Sequence, residues 1–138
     1  MEVKIPLLDF IKYYAALAGV AAGAILGPMD GLFIALIIFV IMDYLTGVIV
    51  AILEKKLSSE IGFKGICKKI LIFVLVALAN IIDVYVMKCG AAVRTSVIFF
   101  YLANEGISIL ENVSKTGLTV PEKLRRILDQ LNKEDIDG

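Results

Sequence analysis

Gly31–Leu53, GLFIALIIFVIMDYLTGVIVAIL, is an apolar run with one carboxylate, Asp43, near its middle. At about 1.5 Å per helical residue it is long enough to cross the ~30 Å hydrocarbon core of a bilayer. Fifteen of its residues are Leu, Ile, Val or Phe, each favouring insertion by roughly 0.3–0.6 kcal/mol against roughly 2.5–3.5 kcal/mol for a central acid. Insertion wins, and Asp43 must then face protein or water rather than lipid. The segment reads as a membrane helix that does not work alone.

The remainder of the 138 residues agrees with that start. A hydrophobic content of 59% and a mean hydropathy of +0.89 exceed what a soluble core of this size can hide. Fourteen basic residues balance fourteen acidic ones, so net charge points to no nucleic-acid partner. The absence of histidine removes imidazole acid–base chemistry and the usual zinc sites. Cys67 and Cys89 fall at opposite ends of a predicted helix and read as two unpaired thiols. With no Gly-rich phosphate loop, no nucleophile beside a base and no metal-ligand cluster, the sequence predicts a protein that is neither an enzyme nor dependent on a cofactor.

Working outward from Gly31, a first span is predicted over residues 6–27, with Pro6 in its first turn. Its basic, then apolar start is similar to a signal peptide, but the membrane helix that follows argues for retention. Nine of the thirteen residues from Ala15 to Gly27 are Ala or Gly, and Ala15, Gly19, Gly23 and Gly27 recur four apart on one face. Such a face allows close backbone packing in lipid. On the other side of the opening stretch, Glu54–Lys69 holds Lys55, Lys56, Lys64, Lys68 and Lys69, and with Gly62 and Gly65 reads as an irregular or only partly helical cytoplasmic loop. A third span follows over 70–87, with Asn80 and Asp83 on one face.

A fourth span over 95–112 carries Tyr101, Asn104, Glu105, Ser108, Glu111 and Asn112 at helical spacing, a polar stripe suited to a bundle interior or to water. Residues 117–138 leave the membrane domain of 1–116: Thr119 and Glu122 form a capping box, and Leu124, Ile127, Leu128 and Leu131 stripe an amphipathic helix. That helix is expected to lie on the inner leaflet or pack on a neighbour. The fold class is an all-α integral membrane bundle of four transmembrane helices plus this carboxy-terminal helix. Basic residues number two in the amino-terminal segment MEVKIPLLDFIKYY, none in the first loop, five in the second, two in the third and five in the tail. Both termini are therefore expected in the cytoplasm.

Among the charged residues in the spans, Asp83 and Arg94 near the outer end read as a structural ion pair. For the deeper Asp43 and Glu105 three arrangements stay open. They are contacts between subunits or a water-lined face, clamping within the chain through Asn80, Thr46 or Ser108, and a proton or cation relay.

The run DYLTGVIVAILEKKLSSEIGFKGICKKI from Asp43, with Thr46 and Gly47 ahead of the basic loop, resembles the phage-lysis and toxin-secretion holins. YLANEGISILENVSKTGLTVPEKLRRIL from Tyr101 is similar to that family's carboxy-terminal signature. The resemblance implies a small homo-oligomeric protein of the bacterial cytoplasmic membrane that opens lesions at a set time. Through these an endolysin, or in the secretion branch a toxin, leaves without necessary direct contact. On that expectation Gly19, Gly23, Gly27, Asp43, Thr46, Gly47, Asn80, Asp83, Arg94, Asn104, Glu105 and Ser108 are the candidates for oligomerisation or pore lining. A small oligomeric ion-coupled transporter or channel, and a non-conducting antiholin or scaffold, are the alternatives.

Overall fold

A computed structural model of the chain describes residues 6–88 and 90–137, with side chains through 133. Lys4 of the basic count and Cys89 of the thiol pair lie outside the described residues. The helices are α1 (Pro6–Leu26), α2 (Gly31–Leu53), α3 (Ser59–Ile81), α4 (Ala92–Lys115) and α5 (Glu122–Asp137), and α3 runs on into a π-helical turn, Ile82–Met87.

Helix α2 starts where Asp30 accepts the Phe33 N–H at 2.9 Å, satisfying one of the orphan donors of the first turn. Its buried residues are Phe33, Leu36, Val40, Asp43 and Val50, spaced by three, four, three and seven. That heptad-like seam turns toward α4, while Ile34, Ile38, Ile41, Leu45, Ile49 and Ile52 are exposed.

The basic loop is shorter than the sequence suggested. Ser58 accepts the Ile61 N–H at 3.2 Å and caps α3, so Lys64, Lys68 and Lys69 ride on a helix and only Glu54–Ser58 connects. Gly62 and Gly65 do not break that helix, because their missing side chains admit the Tyr44 ring. A Cβ on Gly62 would stand 3.4 Å from the Tyr44 hydroxyl, and one on Gly65 3.4 Å from the ring. The cap and this packing outweigh a helix-propensity penalty of about 1 kcal/mol per glycine.

Helix α4, the least apolar of the four long helices, sits at the centre and packs on α2, α3 and α5. Most of its polar stripe turns inward, with Glu105 buried and Tyr101, Asn104, Ser108 and Asn112 half-buried, while Glu111 is exposed. Phe33, Leu36, Val76 and Ile98 form the apolar core beside it. Helix α5 folds back along α4, where Leu128 covers Gly106. A Cβ on Gly106 would lie 2.7 Å and 2.9 Å from the Leu128 methyls and 3.2 Å from the Phe39 ring. Gly106→Val is thus expected to cost about 1–3 kcal/mol and to lift α5. Faster tryptic cleavage at Arg125 and Arg126 is the readout, and cleavage at the wild-type rate would refute it.

Helix α1 stands apart. None of its residues is buried, and Gly19 and Gly23 have nothing within 4 Å of where a Cβ would stand. Gly27 does not share that open face. It ends α1 at a φ of +85°, and a Cβ there would approach Asn80 Oδ1 to 2.6 Å and Arg94 Nε to 2.7 Å.

The molecule is inverted relative to a soluble protein. Asp43, Asn80, Asp83, Arg94 and Glu105 are buried, while large aliphatic side chains cover the outside. Among the described residues three helices are long and apolar enough to cross a membrane, Pro6–Leu26, Gly31–Leu53 and Ser59–Met87. Helix α4 is not among them because its sequence is built to face protein rather than lipid.

Candidate functional site

Two polar clusters occupy the bundle. The inner one draws one charged group from each of α2, α3 and α4. Lys69 Nζ bridges Asp43 Oδ2 and Glu105 Oε2. Asn112 closes the other side, its Nδ2 donating to Asp43 Oδ1 at 3.2 Å and to Thr46 Oγ1 at 3.0 Å. The Thr46 hydroxyl donates in turn toward the carbonyls of Met42 and Asp43, at 2.9 Å and 3.0 Å. Gly47, one turn below Asp43, leaves room for the Asn112 amide, which would sit 3.7 Å from a Cβ there. Beside the cluster a pocket of about 260 Å³ is lined by Asp43, Tyr44, Gly47, Lys69, Ser108 and Asn112 among others.

Of the arrangements open for Asp43 and Glu105, the structure shows clamping within the chain, with partners only partly those expected. Thr46 belongs to the cluster and Ser108 lines its pocket, but Asn80 lies at the other end of the bundle. Asn104, half-buried next to Glu105, makes no hydrogen bond to the cluster among the described residues. The residue missed was Lys69, read only as part of the basic loop, while Asn112 was placed on the polar stripe without a partner. Once Ser58 caps α3, Lys69 stands three and seven residues before Ile72 and Val76, both buried, so it shares their inward face. Reading Ser58 as a cap would have revealed it. Lys55, Lys56, Lys64 and Lys68 are exposed.

The outer cluster is a clasp on the end of α1. Arg94, 1% exposed, donates from Nε to the Leu26 carbonyl at 2.8 Å and from Nη2 to the Pro28 carbonyl at 2.7 Å. Its Nη1 pairs with Asp30 at 2.8 Å, and the guanidinium lies 5.4 Å from the Phe33 ring centroid. Asn80 Nδ2 donates to the Ile25 carbonyl at 3.0 Å. Carbonyls that a helix terminus leaves orphaned are thus met by side chains from α3 and α4.

The expected Asp83–Arg94 ion pair does not form between side chains. The Asp83 carboxylate instead accepts the backbone N–H groups of Val93 at 3.1 Å and Arg94 at 2.7 Å. It caps α4 from a distance, Ala91 at the N-cap position having no side chain able to do so. The guanidinium is left for Asp30, a residue that the sequence placed only in a tight turn. The Phe33 N–H holds the Asp30 carboxyl below its ordinary range; burial opposes it, and Arg94 adds to it.

A family model described as the bacteriophage holin family matches residues 20–133, a stretch that holds both clusters. An uncharacterized 14.9 kDa protein in the nagH 3′ region of Clostridium perfringens is 41% identical over 128 residues, 93% of this chain and 97% of the relative. An uncharacterized protein of Listeria innocua is 44% identical over 130 residues, 93% of this chain and 86% of the relative. A probable holin of Bacillus phage phi105 is 40% identical over 81 residues, 59% of either chain. No solved structure matches. A match that spans from within α1 to within α5, on an apolar-surfaced helical fold, is sufficient: the chain belongs to the bacteriophage holin family.

Proposed function

We propose that the protein works as a holin of the bacterial cytoplasmic membrane. Subunits accumulate, associate through α1, and rearrange into lesions that release an endolysin or, in a secretion setting, a toxin. The observation that carries the reading is the contrast between α1, with an unpartnered Gly19 and Gly23 face, and α2–α4, which hide their charges within one subunit. Small-residue faces associate in lipid, whereas a sealed bundle conducts nothing.

In this reading α1 to α4 all cross the bilayer and both termini lie in the cytoplasm, which puts twelve of the fourteen basic residues on the inner side. The sealed subunit is the waiting state. Opening a lesion turns the seam between α2, α3 and α4, with Asp43, Lys69 and Glu105, toward water, where those charges are at ease. Weakening the seam brings lysis forward.

Inducible expression with a co-expressed endolysin tests this. Wild type gives abrupt lysis, and Asp43→Asn and Glu105→Gln each shift its onset; unchanged onset in both sinks the mechanism. The pocket beside the inner cluster favours one second reading, a small ion-coupled transporter. Steady ion-selective flux in vesicles without lysis would establish that instead. Lack of killing combined with delay of a partner's lysis would mark an antiholin or scaffold.

A further inference from the structure

The inner cluster does not balance. Two carboxylates, Asp43 and Glu105, meet one ammonium, Lys69. All three belong to a buried seam, with Asp43 8% and Glu105 6% exposed. No other charged side chain pairs with them among the described residues. Helix α2 adds Tyr44 at the pocket and the Thr46 hydroxyl; α4 adds Ser108 and Asn112. Helix α5 approaches next to Glu105, at Gly106, through the aliphatic Leu128. With every group ionised the seam carries one uncompensated negative charge in a low-dielectric interior, where an unpaired ion is far costlier than a neutral acid.

The geometry removes the deficit in one way. Both carboxylates reach the same ammonium, which holds the Asp43 and Glu105 side chains on one centre. Two carboxyl groups that close share a proton, because one must donate for the other to accept.

We propose that Asp43 and Glu105 form a proton-binding site, holding one proton between them over Lys69, so that the α2–α3–α4 seam is sealed only when that proton is bound. The site is a carboxyl–carboxylate pair reached through the adjoining pocket. Loss of the proton restores the net negative charge and drives the two acids apart, against the packing of α2 on α4. The site follows from charge and contact within one subunit and does not rest on the lesion-forming reading.

Infrared spectroscopy of the full chain in phospholipid vesicles, in H2O and in D2O, is the test. Wild type near neutral pH shows a carboxylic-acid carbonyl band that shifts in D2O. Asp43→Asn and Glu105→Gln each abolish it, since the remaining acid pairs with Lys69 as an ordinary ion pair. Lys69→Met keeps it, since the two acids still hold one proton between them without the ammonium. Absence of the band from the wild-type protein overturns the proposal whatever the variants do, and so does its persistence in both single carboxyl variants. Lysis assays do not enter, so a protein that binds the proton but opens no lesion would still be recognised.

Discussion

Lys69→Met is expected to destabilise the bundle by roughly 3–5 kcal/mol, the range for removing one partner from a buried charge network. Among the described residues Lys69 is the one side chain that joins α2, α3 and α4 electrostatically, and without it Asp43 and Glu105 face each other. Removing the neutral partner, Asn112→Ala, is expected to cost only about 0.6–1.7 kcal/mol, as interhelical hydrogen bonds in membranes do. That contrast separates charge from hydrogen bonding. Unfolding of the detergent-solubilised protein measures both, and the Lys69→Met deficit narrows at low pH, because protons can neutralise the two acids in the cation's place. A loss no larger than that of Asn112→Ala would show that the ammonium is dispensable.

The second large effect lies at the other end. Arg94→Ala strips the Leu26 and Pro28 carbonyls and Asp30 of their donor at once. The expected loss is about 3–5 kcal/mol, and it has a local signature: the end of α1 separates from α4. Spin labels on α1 and α4 would report a broadened, longer distance. Arg94→Lys recovers part of the stability, since one ammonium cannot span two carbonyls and a carboxylate in the fork geometry that guanidinium provides. An unaltered interhelical distance in Arg94→Ala would mean that α1 is held by something else.

Asp30 adds a pH dependence at the turn between α1 and α2. Its folded carboxyl titrates below the unfolded one. Its contribution is therefore complete above the unfolded value of about 3.9 and is lost as pH falls through the lower folded value. The carboxyl is 42% exposed, so solvent keeps the contribution small.

How much of this was legible depended on what each residue faces. The opening run of α2 reads directly, since length and apolarity decide membrane insertion with no knowledge of neighbours. The inward turn of α4 was legible for the same reason: Glu105, Ser108 and Asn112 share a face that lipid cannot accept. Lys69 was not. It ends a basic run, and only the Ser58 cap, worth about 1 kcal/mol, moves it from loop to helix and onto the face of Ile72 and Val76. In an apolar helix such as α3, periodicity cannot distinguish a side chain that meets lipid from one that meets protein. Asp30 and Arg94 were visible singly, but their pairing spans sixty-four residues and depends on how α1 ends.

The attachment of α1 by main-chain carbonyls has a consequence for how such a protein can vary. Because Asn80 and Arg94 hold α1 by backbone atoms that every residue possesses, the side chains from Leu7 to Val20 are free of the core. Substitutions there can retune how readily copies of the chain meet while the sealed seam keeps its strength. On the proposed association through α1, affinity between copies and durability of each copy are set by separate residues, and selection can adjust one without disturbing the other.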